Sequence, residues 1–220
     1  MIENKDLVLL IERNKEQFPE LNSALILTAA IWGVKAGELS LIEVADVISR
    51  KGLIKKKWLL RSEIAFNGHA RELYSEHERL VEYLDAYLNW RVTTKQGVTN
   101  IGEYRGLDPE SKLFLTPDGL PFSFSRRDIG SGKVNLQPIG LNTHFKRLIK
   151  NAGLADKGIT YKEFRRSLAI QMWRTGDRKT GVMKDIMKYL GIRSYSALRK
   201  ILTGDKKHIH EMIKGIHTRI

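Results

Sequence analysis

With 220 residues and 42% hydrophobic side chains, the chain is long enough to bury a sizeable core, which excludes a disordered tail and a small stapled scaffold. Its lack of cysteine excludes a disulfide framework, a thiol nucleophile and any cysteine-ligated zinc or iron–sulfur site. Lys and Arg number 38 against 25 Asp and Glu, a formal charge of +13, and such an excess points to a polyanionic partner, either a nucleic-acid backbone or an acidic membrane face.

The charge is uneven. Residues 1–50 carry 5 basic and 8 acidic side chains, whereas residues 151–200 carry 12 and 4. A solvated helix face explains most charge runs, but this excess is larger than solubility requires, which favours nucleic acid. The first residues include acids and offer no small-residue cleavage site, so neither a signal peptide nor a transit peptide is expected. No apolar run approaches the roughly 18 residues that span a bilayer. The expectation is a cytoplasmic protein, nucleoid-associated in a bacterium or archaeon, with no membrane partner.

Leu7, Leu9, Leu10 and Ile11 predict a first helix ending before Pro19. Leu25, Ile26, Leu27, Ala30 and Ile31 give an almost wholly apolar second helix, hence a buried one. A short helix follows Gly33, through Glu38 to about Ile42. Between Val47 and Leu73, short apolar runs are broken by Arg50-Lys51-Gly52 and by Asn67-Gly68, a two-residue hairpin signal, and predict a small three-stranded antiparallel sheet. Ser75 and Glu78 have capping-box spacing for a helix with Leu80, Tyr83, Leu84, Tyr87 and Leu88 on one face. Residues 95–138, with Gly97, Gly102, Gly106, Pro109, Pro117 and Gly130-Ser131-Gly132, read as long loop with local structure.

From there the chain reads as helical. Asn142 or Thr143 caps a helix carrying Phe145, Leu148 and Ile149, stopped by Gly153. Thr160 to Thr175 forms the next, with Phe164, Leu168, Ile170, Met172 and Trp173 inward. Val182, Met183, Ile186, Tyr189 and Leu190 make a third, closed by Gly191, and Leu198, Ile201 and Leu202 mark a fourth. The fold class is α+β, mostly α. One domain is expected over residues 1–205, with a basic C-terminal tail or helix over 206–220.

Three segments in order carry a resemblance. Trp32-Gly33-Val34-Lys35-Ala36-Gly37-Glu38-Leu39, followed by Leu41 and Asp46, resembles Thr-Gly-Leu-Arg-x-Ser-Glu-Leu, the first box of the tyrosine recombinase (phage integrase) catalytic domain. Lys35 stands there in place of the catalytic arginine. Lys162-Glu163-Phe164-Arg165-Arg166-Ser167-Leu168-Ala169 resembles the second box, His-x-Leu-Arg-His-Thr-x-Ala, with Lys162 at the histidine and Arg165 at the arginine. Met187-Lys188-Tyr189-Leu190-Gly191-Ile192-Arg193-Ser194 resembles Leu-Leu-Gly-His-Ser, and the position of the nucleophilic tyrosine beyond it is Ile201. The resemblance covers roughly residues 22–203. It implies a helical bundle with a small three-stranded sheet, without the N-terminal helical domain that closes the family's clamp around DNA.

The family's reaction needs a tyrosine nucleophile, cations around a phosphate that gains charge in the transition state, and an acid for the leaving oxygen. Ile201 has no heteroatom, Ile192 cannot donate a hydrogen bond from its side chain, and no lysine lies between Ser62 and Lys95 to serve as the hairpin acid. Lys35, Lys162 and Arg165 keep positive charge, although lysine lacks the two-pronged grip of arginine on phosphate. The resemblance therefore implies a degenerate site with no catalytic residue, in which Lys35, Lys162, Arg165, Arg166 and Arg193 hold DNA phosphates and Glu38 buttresses them. No cofactor and no metal are expected.

Other readings stay open. Lys162 and Arg165 could be solvated helix positions. Tyr195 could act as a displaced nucleophile in an active DNA strand transferase, and Tyr189 and Tyr161 read as structural. His208, His210 and His217 could bind a metal, but beside Lys206 and Lys207 they read better as contacts to phosphate or a neighbouring subunit. Trp32, Trp58, Trp90 and Trp173 read as core before base-stacking platforms, and Arg126-Arg127 as a phosphate-tracking pair or a solvated turn. The leading expectation is a DNA-binding pseudoenzyme of the integrase fold, accessory to DNA recombination or mobile-element maintenance, whose partners are double-stranded DNA and an active recombinase or further copies of itself. A protein-interaction module using the C-terminal segment is the remaining alternative.

Overall fold

The computed structural model describes residues 1–128, 134–176 and 180–203. Helices α1 (Asn4–Glu12), α2 (Pro19–Trp32), α3 (Ala36–Leu41) and α4 (Val44–Val47) are followed by strands β1 (Lys57–Leu60) and β2 (Arg71–Tyr74) and by helix α5 (Glu78–Thr93). After an irregular stretch come β3 (Ser125–Asp128), β4 (Val134–Gln137) and helices α6 (Ile139–Asn151), α7 (Tyr161–Thr175), α8 (Thr180–Leu190) and α9 (Tyr195–Thr203). The mostly helical class matches the expectation from sequence.

Helix α2 is the axis of the molecule. Its apolar residues leave no polar face, so it is surrounded, packing chiefly against α5 and α7 with Leu21, Leu25, Ile26, Ala29 and Trp32 fully buried. Pro19 opens it, where its missing N–H costs nothing. Gly33 closes it at φ 58°, and a Cβ there would lie 2.6 Å from Leu190 and 2.7 Å from Leu168. Only glycine satisfies both the left-handed turn and the close approach of α7 and α8. The turn delivers Val34 and Lys35 to the start of α3.

A second, smaller core joins Ala169 of α7 to Met183, Ile186 and Leu190 of α8 and Leu198 of α9. The tryptophans pack as core: Trp32 and Trp58 meet edge to face at 4.7 Å, and Trp90 and Trp173 lie half-buried against the two cores. Arg91, with no exposure, spreads its guanidinium over the backbone oxygens of Gln96, Lys112 and Leu113 and the Ser111 hydroxyl, holding the irregular stretch after α5 in place.

Four local expectations are corrected. Among the described residues the sheet is two separate two-stranded antiparallel ladders, β1–β2 and β3–β4. The third strand reduces to a single bridge, Ile48 to Ile54, because the chain reverses at Gly52, φ 78°, after one pair. Asn67-Gly68 turns the chain, with Asn67 Oδ1 accepting the His69 N–H at 3.1 Å, but inside a wide connection over residues 61–70. Ser75 does not cap α5: its N–H extends the β1–β2 ladder to the Lys56 carbonyl at 2.7 Å, and His77 is the N-cap. Helix α6 begins after Pro138, upstream of Asn142 and Thr143, because the proline sets the dihedral for the turn that follows. The stretch read as loop contains the β3–β4 hairpin; Gly130-Ser131-Gly132 and the tail over 206–220 lie outside the described residues.

Candidate functional site

Glu38 organises the site. It sits one turn into α3, where its Oε2 accepts the Lys35 N–H at 2.7 Å. Its Oε1 accepts the Phe66 N–H at 3.0 Å from the connection between β1 and β2. Arg71, the first residue of β2, donates both terminal nitrogens to the same carboxylate, at 2.8 and 2.7 Å. Helix α3, the connecting loop and β2 are thus pinned by one side chain that is only 2% exposed. Burial alone would raise the Glu38 carboxyl; the hydrogen bonds and charge of Arg71, with the N–H groups of Lys35 and Phe66, outweigh it and hold the group below the ordinary range. An ionised carboxylate with its oxygens committed is a support and has no proton to give.

Arg165 enters from α7. It donates Nη1 to the Gly33 carbonyl at 2.8 Å and Nη2 to the Leu190 carbonyl, bridging the turn after α2 to the end of α8. Burial brings its guanidinium down to about 10. Lys162, one turn earlier, is exposed. The Lys35 ammonium lies over the ring of Phe66, and burial, with the neighbouring charges of Arg165, Arg71 and Lys162, lowers it to about 8 against the pull of Glu38.

Lys35, Lys162 and Arg165 line one cavity of about 540 Å³ whose remaining wall includes Phe66, Phe124 and Leu136. The β3–β4 hairpin, absent from the sequence reading, supplies that last flank. The sequence-nominated cations therefore divide. Lys35, Lys162 and Arg165 come together. Arg166 pairs with Glu163 at 3.4 Å, beside the N-terminal amine, away from the cavity wall. Arg193, in the link between α8 and α9, donates to the Asn67 carbonyl, while the Asn67 side chain donates to the Gly191 carbonyl at 3.0 Å. These two residues staple the loop after β1 to the end of α8.

Ile192 and Ile201 both pack against the second core. Two tyrosines are engaged elsewhere: the Tyr161 hydroxyl donates to the Val34 carbonyl at 3.1 Å and the Tyr189 hydroxyl to the Ile31 carbonyl at 3.0 Å. Burial raises both phenols, Tyr189 to about 12. Tyr195, 41% exposed, opens α9. Arg126 and Arg127 are exposed on β3. His208, His210 and His217 lie outside the described residues; among the described ones no cluster of three His, Asp or Glu could hold a metal ion.

Sequence reasoning missed Arg71. The available signal was alternation: Leu73 faces inward, and a residue two positions earlier on a strand shares its face. An arginine there needs a buried anion, and Glu38 is one.

No family model matches the chain, and no curated protein does. Solved structures do. XerA recombinase superposes with a TM-score of 0.67 at 19% identity, covering 97% of this chain and 63% of that one. XerH site-specific recombinase bound to its palindromic difH substrate, in a post-cleavage complex, gives 0.62 at 16% identity, covering 96% and 51%. The Tn1549 transposon integrase in complex with transposon right end DNA gives 0.57 at 13% identity, covering 91% and 60%. The fold is that of the tyrosine recombinase catalytic domain, and the chain spans less than two thirds of the length of these structures. No helix among the described residues is long and apolar enough to cross a membrane.

Proposed function

We propose that this chain grips duplex DNA through the Lys35–Lys162–Arg165 cavity and its rim, and does not cut it. The observation that carries the reading is the contrast between two groups of positions. Those matching the family's phosphate-holding residues remain cationic and share one cavity. Those matching its bond-breaking residues, Ile192 and Ile201, are aliphatic and lie half-buried against the second core. The engaged hydroxyls of Tyr161 and Tyr189 support the same conclusion, since a buried, protonated phenol is a poor nucleophile. Structures of the same fold hold difH DNA and transposon-end DNA, which makes duplex DNA the natural polyanion for a chain of charge +13.

On this reading the protein is a pseudoenzyme accessory to recombination or mobile-element maintenance, working beside an active recombinase or further copies of itself. The exposure of Tyr195 favours one competing reading, a strand transferase with a displaced nucleophile. A nicked suicide duplex separates them: the pseudoenzyme forms salt-sensitive gel-shift complexes and no adduct that survives denaturation. A covalent Tyr195–DNA adduct overturns it.

A further inference from the structure

Lys35 lines the cavity together with Lys162 and Arg165. Among the described residues it makes no ion pair with a carboxylate. The nearest acid, Glu38, has spent its oxygens on Arg71 and on the N–H groups of Lys35 and Phe66. The Lys35 side chain reaches the face of Phe66, a contact that favours the ammonium, but in a cavity whose largely apolar walls and two further cations, Lys162 and Arg165, work against it. Desolvation and like charge are the two environments that leave a lysine free to attack a carbonyl.

We propose that Lys35 captures an aldehyde that carries a phosphate, forming an imine inside this cavity. The neutral Nζ adds its lone pair to the carbonyl carbon and the carbonyl oxygen takes up the amine protons. That oxygen then leaves as water as the C=N bond forms. Lys162 and Arg165 supply the positive field for the phosphate, and the aromatic and aliphatic walls hold the carbon skeleton and limit hydrolysis. Two sources share this chemistry: a small free phosphorylated aldehyde, and the ring-opened deoxyribose of an abasic site, which lies between phosphates in a DNA strand. The proposal does not rest on affinity for intact duplex.

With its amine near 8, Lys35 holds roughly 200-fold more of the neutral form at pH 7.5 than an ordinary lysine does. The test is reductive trapping with cyanoborohydride, using pyridoxal 5′-phosphate in one arm and a duplex with a single abasic site in the other, followed by peptide mapping of the wild-type protein. The expected result is an adduct concentrated on the Lys35 peptide, with a rate that falls about tenfold per pH unit well below pH 8. Lys35→Arg, checked for folding by circular dichroism, should lose at least nine tenths of that adduct, and Lys15→Arg, at an exposed lysine that pairs with Glu12 outside the cavity lining, should leave it unchanged. Trapping with pyridoxal phosphate alone assigns a small-molecule site, and trapping with the abasic duplex assigns the DNA source. Adducts spread across exposed lysines in both arms, with the Lys35 peptide no more labelled than the rest, overturn the proposal. Because the pyridoxal phosphate arm contains no DNA, its outcome is independent of the gel shifts.

Discussion

The carboxylate of Glu38 and the guanidinium of Arg71 meet end on, two nitrogens on two oxygens, with side-chain exposures of 2% and 4%. The pair joins α3 to β2 and fixes the backbone of Lys35 and Phe66 between them. Removing one partner strands the other charge, which typically costs about 3–5 kcal/mol, whereas removing both costs much less. Glu38→Gln should therefore lower the denaturant midpoint sharply, and Glu38→Gln with Arg71→Met should recover part of the loss. Additive losses in the double variant would show that the two residues are not coupled.

The same pair sets an acid limit. A carboxyl held below its unfolded value of about 4.3 contributes stability that is complete above that value. The contribution is lost as the pH falls through the depressed native value. Wild-type stability should drop progressively below about pH 4.5, and Glu38→Gln should show a shallower drop over the same window. Urea melts at stepped pH measure both slopes.

Arg165 is a structural clasp as well as a cavity wall. Arg165→Ala leaves the Gly33 and Leu190 carbonyls without their donor, and each such loss costs about 1–3 kcal/mol. The second core, which depends on α8 reaching α7, should loosen first. Amide exchange should accelerate in α8 and α9 before α5 is affected. Arg165→Lys restores the charge without the two-pronged geometry and should rescue stability only partly.

Much of this was legible in sequence wherever apolar spacing is helical. Leu25, Ile26 and Leu27 announce a buried α2, Gly33 and Gly191 mark real helix ends, and Lys35, Lys162 and Arg165 of the first two boxes do converge. What stayed hidden depends on long-range contacts. Ser75 looks like a helix cap until strand pairing claims its N–H. Strand β3 is Ser125, Arg126, Arg127 and Asp128, with no apolar residue to betray it, and the alternation of Val134-Asn135-Leu136-Gln137 in β4 is too short to stand out without its partner. Arg71 goes unnoticed because its partner, Glu38, lies 33 residues away in the chain. That Arg166 and Arg193 stand outside the cavity lined by Lys35, Lys162 and Arg165 was hidden too, because box spacing says nothing about which way a side chain leaves the helix or loop.

Gly33→Ala offers a direct check on the turn that presents Lys35. The backbone there is left-handed, and the added methyl collides with Leu190 and Leu168. Strain of this kind costs about 1–3 kcal/mol. The variant should melt earlier and bind DNA more weakly than an equally destabilised core variant such as Leu198→Ala. Equal affinity in the two would mean that the turn contributes nothing to positioning the site.

The charge on Lys35 gives the DNA-binding proposal a pH signature. Its ammonium is complete well below pH 8 and disappears above it. A phosphate bound beside it would raise that value, so affinity for duplex should weaken as pH rises from about 7 to 9, while ordinary surface lysines stay charged. Lys35→Arg, charged throughout, should flatten the profile. Lys162→Ala should reduce affinity at every pH and lower the slope of log affinity against log salt by about one. Fluorescence anisotropy across pH and salt reads both effects. A wild-type profile as flat as that of Lys35→Arg would remove Lys35 from the phosphate contacts and leave the grip to Lys162 and its neighbours.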